Sequence, residues 1–242
     1  MKIKILLISV LMCFLAACGN DSKNENTIVF GTSLDYPPFE YYENGVPAGF
    51  DVELAYLVGE QLGKKVVIQD IQFSSILASI QNGAIDAGIA TITYTEDRAK
   101  AFDLSYSYYN DKLAAIFLNE KPITSKLDMN SKKIACQIGT TTEIWLKKNV
   151  PTAILTLMDN NNQVIEAVKA GHVDIGYVDG AQAISFTKEN PMLSYTAIAE
   201  SDDGFSIAVK KGSPLLKDIN SALAKLKKNG KLKELKNKWF KE

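Results

Sequence analysis

The sequence predicts an α/β protein made of two similar lobes, joined by two extended crossings that would form a hinge. The first observation behind this prediction is a regular alternation of apolar strands and amphipathic helices along 27–242. The second is an internal repeat, since 83–98 and 171–179 share the pattern Gly, any residue, Ile or Val, Asp, any residue, Gly. The third is a pair of apolar runs, 113–118 and 205–211, that would lead the chain from one lobe to the other and back.

The amino-terminal 1–17 predict a signal peptide that is not part of the fold. Lys2 and Lys4 precede an apolar run over 5–15, which is too short to span a bilayer comfortably. The sequence LAAC, which ends at Cys18, resembles the bacterial lipobox, in which cleavage before the cysteine is followed by its lipidation. Cys18 is therefore the predicted lipid anchor and 18–26 the tether, with an ordinary signal peptide as the alternative.

In the first lobe, the elements follow from residue type and spacing. TIVFGT at 27–32 and VVIQD at 66–70 are rich in β-branched residues and predict strands. A helix over 51–63 lies between them, and its apolar residues share one face: Leu54, Leu57, Val58 and Leu62. A shorter helix over 74–82 ends before a glycine, and a buried strand over 85–91 follows it.

The same series begins again in the second lobe. Strands are predicted for KIACQ at 133–137, for 153–157 and for the segment before Asp179, with helices over 142–148 and 162–170 between them. After the strand at 205–211, two amphipathic helices close the chain, starting at Pro214 and Lys231 and ending at Trp239 and Phe240. Their many lysines predict a solvated face.

Composition and charge exclude several classes of function. A net charge of −1 provides no basic face for nucleic acid, and the chain after residue 27 has no apolar run long enough to cross a membrane. Cys13 would leave with the signal peptide and Cys18 would carry lipid, so Cys136 has no partner for a disulfide and is expected in the core. His172, the single histidine, lies in a turn without a set of ligands at metal-binding spacing, so neither metal nor cofactor is predicted.

Polar side chains follow the repeated strand in both lobes. Thr91 and Thr93 come at the end of the first strand, shortly before Arg98, and the second strand ends in Asp179. Open α/β sheets bind ligands at this edge, and opposite charges from two lobes would suit a zwitterion. The alternative is ordinary turn chemistry with a chance repeat and a surface arginine.

Motifs along the chain resemble those of the polar amino-acid-binding proteins of bacterial ABC importers, a family of extracellular, often lipidated receptors. They fall in the family's order and spacing: YPPFEY at 36–41, GFDVEL at 49–54, the run 86–98, IGTTTE at 138–143, 174–179 and NKWF at 237–240. The resemblance implies the two-lobed, type II periplasmic-binding-protein-like fold, each lobe being a mixed sheet flanked by helices. Lobe 1 is expected to comprise 27–110 and 206–242, and lobe 2 to comprise 111–205.

The resemblance also implies roles for individual residues. Arg98 matches the arginine whose planar fork holds the α-carboxylate of the ligand, and Asp179 matches the carboxylate that pairs with its α-ammonium. Further positions match residues around these two groups: Thr93, Thr140 and Thr141 at the carboxylate, Ala90 and Thr91 at the ammonium, and Tyr36 and Phe73 around the side chain. Thr91 departs from the family pattern, because a glycine is frequent there.

The ligand side chain is expected to be arginine, ahead of lysine and glutamine. Glu40 would accept hydrogen bonds from its far end, and Gln137 resembles the arginine-preferring branch of the family. Ser33 favours a neutral side chain such as glutamine, because several binders of basic amino acids have an aspartate at the position that it matches.

The resemblance implies that the protein captures an L-amino acid by hinge closure and passes it to an ABC permease. It would act as a monomer in the periplasm or at the cell surface, held to the membrane through Cys18. One alternative on the same fold is an enzyme similar to the dehydratases derived from such receptors, with Glu40 as the candidate acid. A ligand-sensing domain is the other.

Overall fold

The computed structural model describes residues 26–201 and 203–240. The predicted signal peptide, Cys18 and all but the last residue of the predicted tether lie outside the described residues. No helix in the described part of the chain is long and apolar enough to cross a membrane.

Lobe 1 contains a five-stranded mixed sheet. Its strands are β1 (Thr27–Thr32), β5 (Lys65–Asp70), β6 (Ala87–Gly88), β7 (Phe102–Leu104) and β13 (Ala208–Lys210). Their order is β5-β1-β6-β13-β7, with β1 parallel to β5 and β6 and with β13 antiparallel to β6 and β7. A small antiparallel sheet is formed by β2 (Asp35–Tyr36), β3 (Glu40–Glu43) and β4 (Val46–Ala48).

Helices flank the large sheet of lobe 1 and bury its apolar residues. They are α1 (Phe50–Leu62), α2 (Phe73–Asn82), α3 (Glu96–Ala101), α7 (Leu215–Lys228) and α8 (Lys231–Trp239). The predicted face of α1 buries Leu54 and Val58 in one cluster with Phe30 of β1, whereas Ile76 and Ile80 of α2 belong to a separate cluster. The apolar residues at i, i+4 spacing therefore lie on one face of each helix and pack that face against the sheet.

Lobe 2 contains a second five-stranded mixed sheet. Its strands are β8 (Lys112–Leu118), β9 (Lys133–Gln137), β10 (Ile154–Met158), β11 (Ile175–Asp179) and β12 (Leu193–Glu200), in the order β10-β9-β11-β8-β12. Its helices are α4 (Thr141–Asn149), α5 (Asn161–Lys169) and α6 (Gly180–Glu189), with a 3-10 turn at Lys126–Met129. Cys136 of β9 is a buried free thiol, as predicted.

The two crossings between the lobes lie side by side. The backbone N–H of Phe205 donates to the Tyr109 carbonyl at 2.8 Å, and the Tyr108 N–H donates to the Phe205 carbonyl at 2.9 Å. At Gly204 a Cβ atom would lie 1.9 Å from Ser107 Oγ, so the crossings approach too closely for a side chain there. The lobe limits given above stay a prediction.

The structure corrects several predicted elements. The strand expected over 85–91 pairs only at Ala87–Gly88, because the chain bends at the following residues and Thr91 has a φ of 48°. The strand expected over 205–211 is shortened to Ala208–Lys210. The helices α3 and α6, the strands β7 and β12 and the small sheet in lobe 1 were not predicted from the sequence.

Candidate ligand-binding site

A cavity lies between the lobes, next to the ends of β9 and β11. It is lined by Tyr36, Phe73, Thr91, Thr93, Arg98, Gln137, Thr140, Thr141, Thr142, Asn161, Val178 and Asp179. The carboxyl ends of the strands thus meet a cavity at the place where open α/β sheets bind ligands.

This lining contains most of the predicted site residues. The exceptions are Ser33, Glu40 and Ala90, which are buried but are not among the lining residues. Ser33 donates its hydroxyl proton to an Asp35 carboxylate oxygen at 2.9 Å. The role expected of Ala90 involves its backbone, so this role stays a prediction.

The cavity also includes Thr142, Asn161 and Val178, which the sequence analysis did not select. Asn161 begins α5 soon after β10 ends. Arg98 and Asp179 were predicted as site residues because they are polar and follow a strand. Asn161 has the same property and could have been predicted in the same way.

Arg98 is held at the cavity by backbone contacts from both lobes. Its Nη1 donates to the Thr93 carbonyl at 2.7 Å, and its Nη2 donates to the Gly139 carbonyl of lobe 2 at 3.1 Å. The guanidinium carbon lies 5.9 Å from the centre of the Phe73 ring. Burial lowers the pKa of Arg98 to about 10, so the side chain remains a cation at neutral pH.

Asp179 faces the cavity from the end of β11 because another residue caps the next helix. Asp179 stands at the N-cap position of α6 without making a side-chain cap bond. Asp111, in the first crossing, instead accepts the Ala181 N–H at 3.0 Å. The Asp179 carboxylate is therefore free to accept the Tyr36 hydroxyl across the cleft.

The electrostatic surroundings of Asp179 are mixed. Burial and the nearby charge of Asp111 together raise the pKa of Asp179 to about 7. The Tyr36 hydrogen bond and the Arg98 charge act in the opposite direction. A cationic group placed in the cavity would lower this pKa and hold Asp179 ionised.

The start of α4 supplies a second anion-binding feature. Thr140 caps the helix by accepting the Glu143 N–H at 3.3 Å, and Glu143 in turn accepts the Gly139 N–H at 2.8 Å. Thr141 and Thr142 in the first turn line the cavity. Since N–H groups of a first helical turn have no intrahelical acceptor, they favour a carboxylate there.

A pair of buried amides forms an uncharged part of the lining. Asn161 Nδ2 donates to Gln137 Oε1 at 3.2 Å, and Gln137 Nε2 donates to the Asp159 carbonyl at 3.0 Å. Both amide groups are therefore held in one orientation.

The place expected for Glu40, at the far end of a ligand side chain, is contradicted by its burial. Glu40 lies on β3 beside Asp51 of α1, with 1% of its surface exposed, and it does not line the cavity. Burial and the charge of Asp51 raise the pKa of Glu40 well above its ordinary range. Because Glu40 does not line the cavity, it offers no carboxylate to a guanidinium there.

The charged side chains of the lining are thus one cation, Arg98, and one anion, Asp179. The other lining residues are neutral, being threonines, amides, two aromatics and a valine. Among the residues that the structure describes, no group of three or more His, Cys, Asp or Glu is placed to hold a metal ion. The arrangement suits a molecule with one carboxylate and one ammonium.

The chain is similar to known proteins of one family. A profile of the family described as bacterial extracellular solute-binding proteins, family 3, matches residues 28–242. The arginine-binding extracellular protein ArtP of Bacillus subtilis (strain 168) is 30% identical over 98% of this chain and 96% of its own. The L-cystine-binding protein TcyJ of Escherichia coli (strain K12) is 31% identical over 91% of this chain and 85% of its own.

Solved structures of similar proteins share the two-lobed fold. An ancestral arginine-binding protein bound to arginine is 34% identical, with a TM-score of 0.86 over 89% of this chain and 98% of its own. An ancestral arginine-binding protein bound to glutamine is 35% identical, with a TM-score of 0.86 over 90% and 99%. The ancestral amino-acid-binding protein AncCDT-1, a precursor of cyclohexadienyl dehydratase, is 30% identical, with a TM-score of 0.84 over 89% and 96%.

Proposed function

Because the chain belongs to the bacterial extracellular solute-binding proteins, family 3, we propose that it is the substrate-binding protein of an amino-acid ABC transporter. The observation that carries this proposal is the opposition of Arg98 and Asp179 across one cavity whose other lining residues are neutral. An α-amino acid presents a carboxylate and an ammonium on one carbon, and the two side chains match these charges.

Each charged group of the ligand would replace a contact that the protein makes with itself. The α-carboxylate would take the Arg98 hydrogen bonds that now go to the Thr93 and Gly139 carbonyls, and it would meet the first turn of α4. The α-ammonium would bind Asp179, which now accepts the Tyr36 hydroxyl. Since Arg98 and Asp179 belong to different lobes, ligand binding would close the lobes about the crossings at 109–113 and 203–206.

For the ligand side chain we retain arginine as the first candidate, with lysine after it. ArtP and an ancestral protein of known structure bind arginine, and each is at least 30% identical to this chain. The ring of Phe73 in the lining would offer a face to a flat guanidinium.

Glutamine is the second candidate, and the charges of the cavity favour it. Asp179 is the acidic side chain of the lining, and it would be occupied by the α-ammonium. Since Glu40 is not part of the lining, a cationic side chain would have no carboxylate of its own to offset its desolvation. The amides of Gln137 and Asn161 in the lining would also suit an uncharged side chain.

A thermal-shift screen of the twenty amino acids tests the proposed function. A ligand at about 100 times its dissociation constant should stabilise the protein by roughly 2.7 kcal/mol, which is a readily measured shift. Arginine or glutamine should give the largest shift, whereas no shift with any amino acid would contradict the proposal. Turnover assays with prephenate-like acids should show no product; steady product formation would favour the dehydratase alternative.

The family is extracellular, and we propose that the protein is exported and anchored through Cys18. Cys18→Ser should move it from the membrane fraction to the soluble fraction, because the serine could not carry the proposed lipid and no helix of the described residues could replace that anchor. Cys136→Ser is the matched control, since Cys136 is buried in lobe 2 and should not affect partitioning. Unchanged partitioning of Cys18→Ser would contradict the anchor.

A further inference from the structure

Several segments of lobe 1 meet at a buried acid pair, Glu40 and Asp51. Glu40 lies on β3 and Asp51 lies in the first turn of α1, and their exposed fractions are 1% and 0%. Asp51 Oδ2 accepts the backbone N–H of Thr91 at 2.8 Å and the hydroxyl of Tyr108 at 2.7 Å. The acid pair therefore connects the small sheet, α1, the bend after β6 and the segment that leads into the first crossing.

The other oxygens of the acid pair have no donor in the described structure. Glu40 Oε2 and Asp51 Oδ1 are buried without a hydrogen-bond partner, although the two carboxyl groups are in contact. Two ionised carboxylates in this position would repel each other and leave both oxygens unsatisfied. One proton between them removes one of the two charges and allows a protonated Glu40 to donate a hydrogen bond to Asp51.

The groups around the acid pair also oppose its full ionisation. Burial raises the pKa of Glu40, and the negative charges of Asp35 and Asp179 raise it as well. Burial raises the pKa of Asp51 to about 7, while hydrogen bonds from Thr91, Tyr108 and Glu40 oppose that rise. The hydroxyl of Tyr108 stays protonated, because burial and the charge of Asp51 raise its pKa.

Thr91 connects the acid pair to the cavity. Thr91 lines the cavity, and its φ of 48° is a left-handed conformation that a β-branched residue rarely adopts. The bond from its N–H to Asp51 holds it in that conformation. Loss of the shared proton would charge both carboxyls and disturb this support.

We propose that Glu40 and Asp51 share one proton at neutral pH and that this singly protonated acid pair positions Thr91 at the ligand site. Glu40 is then a positioning residue that donates a hydrogen bond, and it makes no contact with the ligand. The inference rests on the proposed function, because Thr91 positions a ligand only if the cavity binds one.

The test compares Glu40→Gln with wild type by calorimetry from pH 6 to 10, using arginine and glutamine. At pH 7 the variant should bind each ligand within about threefold of wild type, because an amide at position 40 donates to Asp51 as the acid does. Above the pKa of the acid pair, wild type should lose up to about tenfold in affinity per pH unit. The variant should lose less, because it has no shared proton to release.

Glu43→Gln is the matched control, since Glu43 is an exposed residue on the same strand. It should follow wild type at every pH. Titration of the ligand ammonium, Arg98, Tyr36 and Asp179 occurs in all three proteins and cancels in the ratio of affinities.

Two outcomes of the calorimetry would overturn the proposal. Selective loss of arginine affinity at pH 7, with glutamine spared, would show Glu40 to be an ionised ligand contact. Coincident pH profiles of Glu40→Gln and wild type would show that no shared proton supports the site.

Infrared spectroscopy tests the shared proton without any ligand, and it decides the matter if Glu40→Gln does not fold. Wild type at pH 7 should show the carbonyl stretch of a buried protonated carboxyl. Asp179→Asn should retain this band, because the band belongs to the acid pair. Absence of the band at pH 7 would overturn the proposal whether or not amino acids bind, so its failure is distinguishable from failure of the proposed function.

Discussion

Thr91 shows how a single backbone conformation is selected at the site. Its φ of 48° is one that glycine adopts freely and that threonine adopts only under constraint. Asp51 supplies that constraint by accepting the Thr91 N–H. Where the family frequently has glycine, Thr91 adds a side chain to the cavity. The presence of that side chain at a positive φ strains the backbone.

Thr91→Gly should change the free energy of unfolding by less than about 1 kcal/mol. Relief of about 1 to 2 kcal/mol of strain is offset by the greater backbone entropy of glycine in the unfolded chain. Thr91→Ala, which keeps the strain and removes the hydroxyl, should be the less stable of the two variants. Urea unfolding measures both, and a glycine variant less stable than the alanine variant would contradict the account.

The positions of Arg98 and Asp179 at the cavity were predictable from the sequence, because each follows a strand. Glu40 was misplaced, because sequence reveals the type of a residue but not its burial beside Asp51. Asp111 was missed for a related reason, since its role depends on contact with a helix seventy residues further along the chain. These differences come from tertiary contacts, which periodicity and motif spacing do not contain.

At the scale of elements, the capping of α6 decides where the Asp179 side chain points. Asp111 accepts the Ala181 N–H at 3.0 Å and the Lys112 N–H at 2.7 Å. A residue in the first crossing thus caps a helix of lobe 2. If Asp179 capped its own helix, its carboxylate would be drawn away from the cleft.

Two substitutions at Asp111 should separate its effect on stability, as the cap of α6, from the effect of its charge on the pKa of Asp179. Asp111→Ala should lower the free energy of unfolding by about 1 kcal/mol through loss of the cap, whereas Asp111→Asn keeps an acceptor and should cost less. Both should lower the pKa of Asp179, because both remove a negative charge that raises it. Urea unfolding and an NMR titration of Asp179 measure these effects; an unchanged pKa in both variants would contradict the electrostatic account.

Elements with strong periodicity were predicted well and those that depend on distant partners were not. The i, i+4 apolar spacing of α1 located it to within one residue at each end. In contrast, α6 begins at a glycine and receives its cap from Asp111, and β12 pairs with β8, a strand far from it in the sequence. The strand expected over 85–91 was too long because the bend at Thr91 is maintained by a contact with α1.

At the scale of the whole molecule, the lobes touch each other around the cavity and at the paired crossings. Arg98 bonds to Gly139, and the hydroxyls of Thr93 and Thr141 lie 3.3 Å apart. The crossings themselves are joined by the Tyr109 and Phe205 backbones. The contacts around the cavity involve the side chains proposed to hold the ligand, so opening and binding would be coupled.

Ligand binding should therefore compact the protein. X-ray scattering with a saturating amino acid should give a smaller radius of gyration than scattering without it, because the ligand would join Arg98 of one lobe to Asp179 of the other. Asp179→Asn at the same ligand concentration should show a smaller change. Identical wild-type curves with and without a ligand that binds would contradict hinge closure and the lobe limits proposed with it.

We propose above all that one α-amino acid is held between Arg98 and Asp179. Calorimetric titration of wild type, Asp179→Asn and Arg98→Lys with the preferred amino acid tests it most directly. Asp179→Asn should lose about 2 to 5 kcal/mol of binding free energy, as when one partner of a buried charge pair is removed, and Arg98→Lys should also bind more weakly because it lacks the planar fork. Wild-type affinity in both variants, or no binding of any amino acid by wild type, would contradict the claim.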